Sequence, residues 1–151
     1  RKRIESTIDP KHFDVVQEAM LEVFEGEHGT ARWARLEGVQ ICGKTGTVEN
    51  AYRGESLKDH AFFGAFAPRE NPRIAIAVMC ENAGYGATSA APIASLLIEK
   101  YLRDSIAGPE RKAKIEQLAN MNLIPPQMKR LMKPEPNTIK KENIKKAIAK
   151  N

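Results

Sequence analysis

Apolar residues at Phe13, Val16, Met20, Val23 and Phe24 recur at helical spacing, and the pattern predicts a first helix. Asp9-Pro10 supplies its start, a capping carboxylate followed by a proline already near helical φ, and Gly26 supplies its end. Residues 27–37 form a polar connection. From Gly38 to Val48 the period falls to two, with Val39 and Ile41 alternating against Gln40, and a strand is expected. ENAYRGESLK (49–58) is charged and reads as a loop. HAFFGAFA (60–67) is a continuous apolar run that reads as a buried strand, PRENP (68–72) as a turn, and RIAIAVMCE (73–81) as the next strand. Residues 60–81 are therefore expected to form an antiparallel hairpin. NAGYG (82–86) is a glycine-bearing loop, after which Thr88 or Ser89 can cap a helix running to about Arg103. Pro92 is tolerated there because it falls in the first turn. Ala94, Leu97, Ile98 and Tyr101 are expected to face the core. The order helix, strand, strand, strand, helix gives an α+β class, three antiparallel strands with flanking helices.

Composition adds limits to that picture. With 151 residues, 42% hydrophobic and 28% charged, the chain has the balance of one globular domain with a core. It contains no run of about 18 apolar residues of the kind that spans a membrane. It opens on Arg1-Lys2-Arg3 and not on Met, without the pattern of a signal peptide, which points to a piece of a longer protein. Charge divides the chain. Residues 1–108 hold 13 Lys+Arg against 15 Asp+Glu, a net of −2, and residues 109–151 hold 11 against 4, a net of +7. The expected organisation is a body over 1–108 and a basic, proline-interrupted tail over 109–151, with a turn or two of helix at 140–151. A near-neutral body offers no basic face, so nucleic acid is not an expected partner. Cys42 and Cys80 each lie in an apolar run and read as small buried side chains, in preference to a disulfide.

The candidate chemistry lies at GKTGT (43–47). The stretch Gly38 to Thr45 satisfies G-x-x-x-x-G-K-[ST], the phosphate-binding loop of nucleotide hydrolases. That loop needs a buried strand before it and a helix opening at the lysine. Here ARWARLE (31–37) precedes, VQIC lies between the glycines, and GTVENAYRG follows, so the nucleotide reading fails on context. On a strand, Lys44 points away from Thr45 and Thr47, and Gly46 leaves the backbone bare between two hydroxyls. At a sheet edge this is a place for the carboxyl end of an extended peptide.

Lys-Thr-Gly is also one of the three motifs of penicillin-binding proteins, with S-x-x-K and S-D-N. GKTGT (43–47), DHAFFGAFAP (59–68), IAIAVMCENAGYG (74–86) and AAPIASLL (90–97) together resemble the last third of a class B penicillin-binding protein, of the elongation-specific penicillin-binding protein 2 type. The resemblance covers roughly residues 10–104. It implies part of a β-lactamase/transpeptidase-like fold with the K-T-G strand at the edge of the active site. It implies a parent D,D-transpeptidase that cross-links peptidoglycan stem peptides through a serine acyl-enzyme and binds β-lactams. That parent is anchored outside the cytoplasmic membrane, on the periplasmic side, with a glycosyltransferase of the elongation machinery as partner. Thr45, Gly46 and Thr47 then receive the D-Ala-D-Ala end, the Thr47 amide forms half the oxyanion hole, and Lys44 neighbours the serine of the S-x-N motif. No serine here has lysine three positions on or asparagine two positions on. The chain is thus expected to be a C-terminal piece that is inactive alone.

Other residues carry less. His60 at the head of a buried strand reads as a structural, hydrogen-bonded histidine. His12 and His28 have no metal-binding spacing, and neither metal nor cofactor is expected. Trp33 reads as packing over the first helix, and Tyr85 as turn packing or a residue flanking the cleft. The alternative function is a non-catalytic interaction module acting through its basic tail, on anionic lipid or an acidic partner. Unpaired strand edges make self-association of the piece an expectation as well.

Overall fold

The computed structural model describes residues 5–129. Helix α1 runs Pro10–Glu25, with Asp9 as its cap; the Asp9 side chain accepts from the Lys11 amide at 3.0 Å. Strand β1 spans Cys42–Tyr52, β2 Glu55–Ala67 and β3 Ile74–Cys80, followed by helix α2 at Ala90–Arg103 and helix α3 at Pro109–Ala119. The strands form one antiparallel sheet in the order β1-β2-β3, so β1 is an edge strand.

β2 alternates buried and less buried positions. Ala61, Phe63, Ala65 and Ala67 are buried, and they meet Phe24 of α1, Ile41, and Ala90, Ala91, Ala94 and Ile98 of α2 in one core. Phe24 and Phe63 stand edge to face, ring centroids 5.6 Å apart. The small residues at the start of α2 let the helix lie close on β2 and β3.

Several expectations need correction. The stretch 49–58 is not a loop. β1 continues to Tyr52, the chain reverses at Arg53-Gly54, and β2 begins at Glu55. Both turn residues have positive φ, 51° and 83°, the sign a tight two-residue hairpin requires. This end of the hairpin projects beyond the core, so it is polar on both faces and leaves no alternation to read. Strand β1 also starts later than Gly38, because Leu36 to Val39 form a tight turn with Gly38 at φ 71°. On α2, Ala94 and Ile98 are buried as expected, but Leu97 and Tyr101 are 49% and 55% exposed. The buried stripe runs through Ala91, Ala94, Ser95 and Ile98 instead, and it includes Glu99. On α1 likewise, Phe24 is buried while Phe13 and Val16 stand exposed.

Past residue 108 the chain returns to the body. α3 buries no residue of its own but sends Arg111 to the fully buried Glu99, whose other oxygen accepts the Ala107 amide at 3.1 Å. Arg111 also donates to Ser95 Oγ at 3.1 Å, and Lys114 lies 4.8 Å over the Trp33 ring. Trp33 thus packs with α3. The helical turns expected at 140–151 lie outside the described residues.

Candidate active-site strand

Cross-strand partners fix which way each residue of the K-T-G segment points. Thr45 stands opposite Phe63 and Thr47 opposite Ala61, while Lys44 stands opposite Gly64 and Gly46 opposite Phe62. Directly paired residues share a face, so the threonines lie on the face of Phe63 and Lys44 lies on the other. Lys44 is exposed, and its ammonium turns back to donate to the Thr45 carbonyl at 2.8 Å. Thr47 is exposed, and Thr45 is half-buried with its Oγ1 3.3 Å from Thr30 Oγ1.

The two glycines of the motif differ in what surrounds them. A Cβ on Gly43 would lie 2.5 Å from Cζ of Phe63, so that glycine makes room for the core. A Cβ on Gly46 would meet nothing closer than the Phe62 ring at 3.3 Å, which a small shift relieves. The body therefore tolerates a small side chain at Gly46.

The loop between β3 and α2 buttresses this strand. Gly86 sits directly on the β1–β2 pair, where a Cβ would come within 2.3 Å of the Phe62 carbonyl and 2.8 Å of the Gly46 carbonyl. The loop is anchored at an irregularity where Lys58 and Asp59 of β2 together face Glu49. There the Gly84 amide donates to the Asp59 carbonyl at 2.8 Å, and Asn50 Nδ2 donates to Asn82 Oδ1 at 2.7 Å and to the Lys58 carbonyl at 3.0 Å. His60 Nδ1 accepts the Asn82 amide at 3.1 Å, the structural role expected of it. Tyr85, between Gly84 and Gly86, is exposed beside the strand. The sequence reading did not single out Thr30, Gly86, Asn50 or Asn82. Only Gly86 left a signal, as a glycine within a five-residue loop.

Elsewhere, the thiols of Cys42 and Cys80 are both free. Burial pushes both above the ordinary thiol range, with the positive charge of Arg69 drawing Cys42 partly back. Among the described residues no group of His, Cys, Asp and Glu is placed to hold a metal ion. A groove of about 880 Å³ bordered by Leu21, Trp33, Leu36 and Val39 does not include the K-T-G segment. That segment lies on an open edge.

Residues 2–99 match the family described as the penicillin binding protein transpeptidase domain, close to the 10–104 over which the sequence resembles it. The chain belongs to the penicillin-binding-protein transpeptidase family. Among similar proteins, the peptidoglycan D,D-transpeptidase MrdA of Haemophilus influenzae is 32% identical over 111 residues, 66% of this chain and 17% of that protein. MrdA of Acinetobacter baumannii is 37% identical over 109 residues, 65% of this chain and 16% of that protein. The chain thus spans about a sixth of the length of the curated relatives it matches. Among solved structures, Pseudomonas aeruginosa PBP2 in complex with WCK 5153 superposes with a TM-score of 0.54 at 39% identity, covering 62% of this chain and 20% of that one. Penicillin-binding protein A from M. tuberculosis, as an imipenem acyl-enzyme complex, gives 0.52 at 34% identity, covering 63% and 20%. The transpeptidase family and the α+β fold are as the resemblance implied, and the penicillin-binding protein 2 type agrees with the MrdA and PBP2 neighbours.

Proposed function

We propose that this chain forms one wall of the active site of a serine-type peptidoglycan D,D-transpeptidase, the wall built on the K-T-G strand. The observation that carries the reading is the position of Lys44-Thr45-Gly46-Thr47 on an edge strand in a member of this family. An edge strand holds unpaired amides and carbonyls to which an extended peptide adds as a further strand. In this reading the D-alanyl end of a stem peptide lies along β1, with its terminal carboxylate on the hydroxyls of Thr45 and Thr47. Gly46 lets the peptide backbone come close. Lys44 supplies positive charge beside the serine of an S-x-N motif.

The nucleophile is a serine of an S-x-x-K motif contributed from outside this sequence. It gives its proton to the motif lysine and attacks the carbonyl of the penultimate D-alanine, and the last D-alanine leaves as the amine. The amine of a neighbouring stem then takes the acyl group and frees the serine. The Thr47 amide and the amide of that serine hold the oxyanion, each donor contributing on the order of 10²–10³ in kcat. A β-lactam enters the same place, its carboxylate on the same hydroxyls. The names of the relatives support this assignment, as does the acyl-enzyme form of the mycobacterial neighbour. The parent acts on the periplasmic side of the cytoplasmic membrane, beside a glycosyltransferase.

Intact mass after incubation with benzylpenicillin tests the reading, on this chain and on one extended N-terminally through the missing motifs. The extended chain is expected to gain one penicillin mass and the short chain none, and Lys44→Ala is expected to slow the gain. Acylation of the short chain, or of neither chain, would refute it.

A further inference from the structure

Thr30 stands fifteen positions before Thr45, yet the hydroxyls of the two lie 3.3 Å apart. The chain goes to some length to place it there. After α1 the backbone reverses at once, with the Gly26 amide on the Glu22 carbonyl at 3.0 Å and the Gly29 amide on the Gly26 carbonyl at 3.0 Å. The Ala31 amide then donates to the Val23 carbonyl at 2.9 Å, and Ala31 itself is fully buried. Gly29 cannot carry a side chain in this reversal, since a Cβ would lie 2.6 Å from both the Glu22 and Val23 carbonyl oxygens. Arg32 braces the outside by donating to the Glu27 carbonyl at 3.2 Å. Thr30 is therefore held between fixed points on both sides.

Burial does not explain the contact. Thr30 is exposed and Thr45 only half-buried, so water could satisfy either hydroxyl. At 3.3 Å the pair is longer than the usual 2.7–2.8 Å O–H···O bond, which makes it a weak source of stability. What the contact can do is orient. A threonine hydroxyl has one proton and two lone pairs, and its rotor turns to suit its neighbours.

We propose that Thr30 is a positioning residue for carboxylate recognition: its hydroxyl donates to Thr45 Oγ1, so that the single Thr45 proton points at the substrate's or β-lactam's carboxylate. A hydroxyl that accepts one bond also becomes a better donor of the next, through polarisation along the chain. The inference rests on the reading of Thr45 as a carboxylate-binding hydroxyl.

The test compares benzylpenicillin with its methyl ester as acylating agents of the N-terminally extended parent. The readout is the ratio of their second-order acylation rates, which isolates the negative charge. Thr30→Val, matched in shape, is expected to lower the acid-to-ester ratio by about two- to tenfold, the order of one neutral hydrogen bond. Thr30→Ser is expected to restore it. Thr45→Val should lower the ratio at least as far. If Thr30→Val slows acid and ester alike, or leaves the ratio unchanged while Thr45→Val lowers it, Thr30 serves the loop alone and the inference fails. If Thr45→Val leaves the ratio unchanged, the carboxylate assignment under the proposed function fails first. A melting temperature for each variant separates a lost fold from a lost preference.

Discussion

Replacing Arg111 by Met should unseat α3 and destabilise the body at the same time. Glu99 is a fully buried carboxylate, and Arg111 is its close cationic partner, bonding Glu99 Oε2 through Nε. Arg103 stands farther off, 3.7 Å from Oε1, and the Ala107 amide donates to the same oxygen at 3.1 Å. Removing one partner of a buried ion pair costs roughly 3–5 kcal/mol, because the other charge remains in a dry site. Arg103 and the Ala107 amide stay, which lowers the expected cost to about 2–4 kcal/mol, a large share of a typical folding free energy of roughly 5–15 kcal/mol. Glu99→Gln in the Arg111→Met background removes the stranded charge while keeping an acceptor for Ala107, so the double variant should be more stable than Arg111→Met alone. Urea unfolding of the 151-residue chain followed by circular dichroism gives the free energies. Trp33, the one tryptophan of the sequence, reports on α3 directly through the Lys114 contact. A loss below about 0.5 kcal/mol in Arg111→Met, or a double variant no better than the single, would refute the argument that buried charge holds this helix.

Gly86→Ala should cost about 1–3 kcal/mol by overpacking, since its methyl would meet the Phe62 and Gly46 carbonyls, and in the extended parent it should also slow acylation because the Gly46 carbonyl belongs to the K-T-G strand. Gly46→Ala should leave urea stability of this chain within about 1 kcal/mol, since only the Phe62 ring must give, yet slow β-lactam acylation of the parent. Arg53→Asn should stabilise the hairpin by about 0.5–1 kcal/mol in urea unfolding, because Asn tolerates the positive φ that arginine is forced to adopt. For Cys42 the native thiol is pushed up, so its contribution is fully present below the ordinary thiol pKa of about 8.5 and is lost as pH rises through the raised value. Cys42→Ala should therefore flatten the alkaline fall in melting temperature, and thiol reagents at pH 8 should modify wild-type Cys42 only as fast as the chain opens.

Periodicity revealed the parts of this fold that bury something. The helix α1 with its Asp9 cap, the 60–81 hairpin and α2 each carry apolar residues at the spacing of their element, and each stands where that spacing put it. The outer half of the β1–β2 hairpin was hidden because it covers no core, so ENAYRGESLK has only the turn glycine to mark it. The orientation of α2 was hidden for another reason. Leu97 and Tyr101 are apolar and exposed while Ser95 and Glu99 are polar and buried; Ser95 donates to the Ala34 carbonyl, and Arg111 on the next helix donates to both Ser95 and Glu99. A helical wheel sees residue types and not the ion pair a later segment brings.

The K-T-G segment shows why a motif needs its period as well as its letters. Gly38 to Thr45 spells a phosphate-binding loop, and the structure breaks that spelling at every point where the loop chemistry would act. Gly38 belongs to a tight turn closed by Leu36 and Val39, and the segment from Cys42 onward is a strand in register with Phe66, Ala65, Gly64 and Phe63. A phosphate cradle needs successive amides converging on one point, with a helix opening at the lysine. A paired strand sends its amides alternately to either side, half into β2 and half outward, and so can offer them only to another extended chain. The glycines follow the same logic. Gly43 is demanded by the ring of Phe63 inside, and Gly46 by nothing inside. Gly46→Ala therefore separates the two accounts: if it unfolds the chain, the glycine serves packing, and if it spares the fold but slows acylation, the bare backbone serves what lies along the edge.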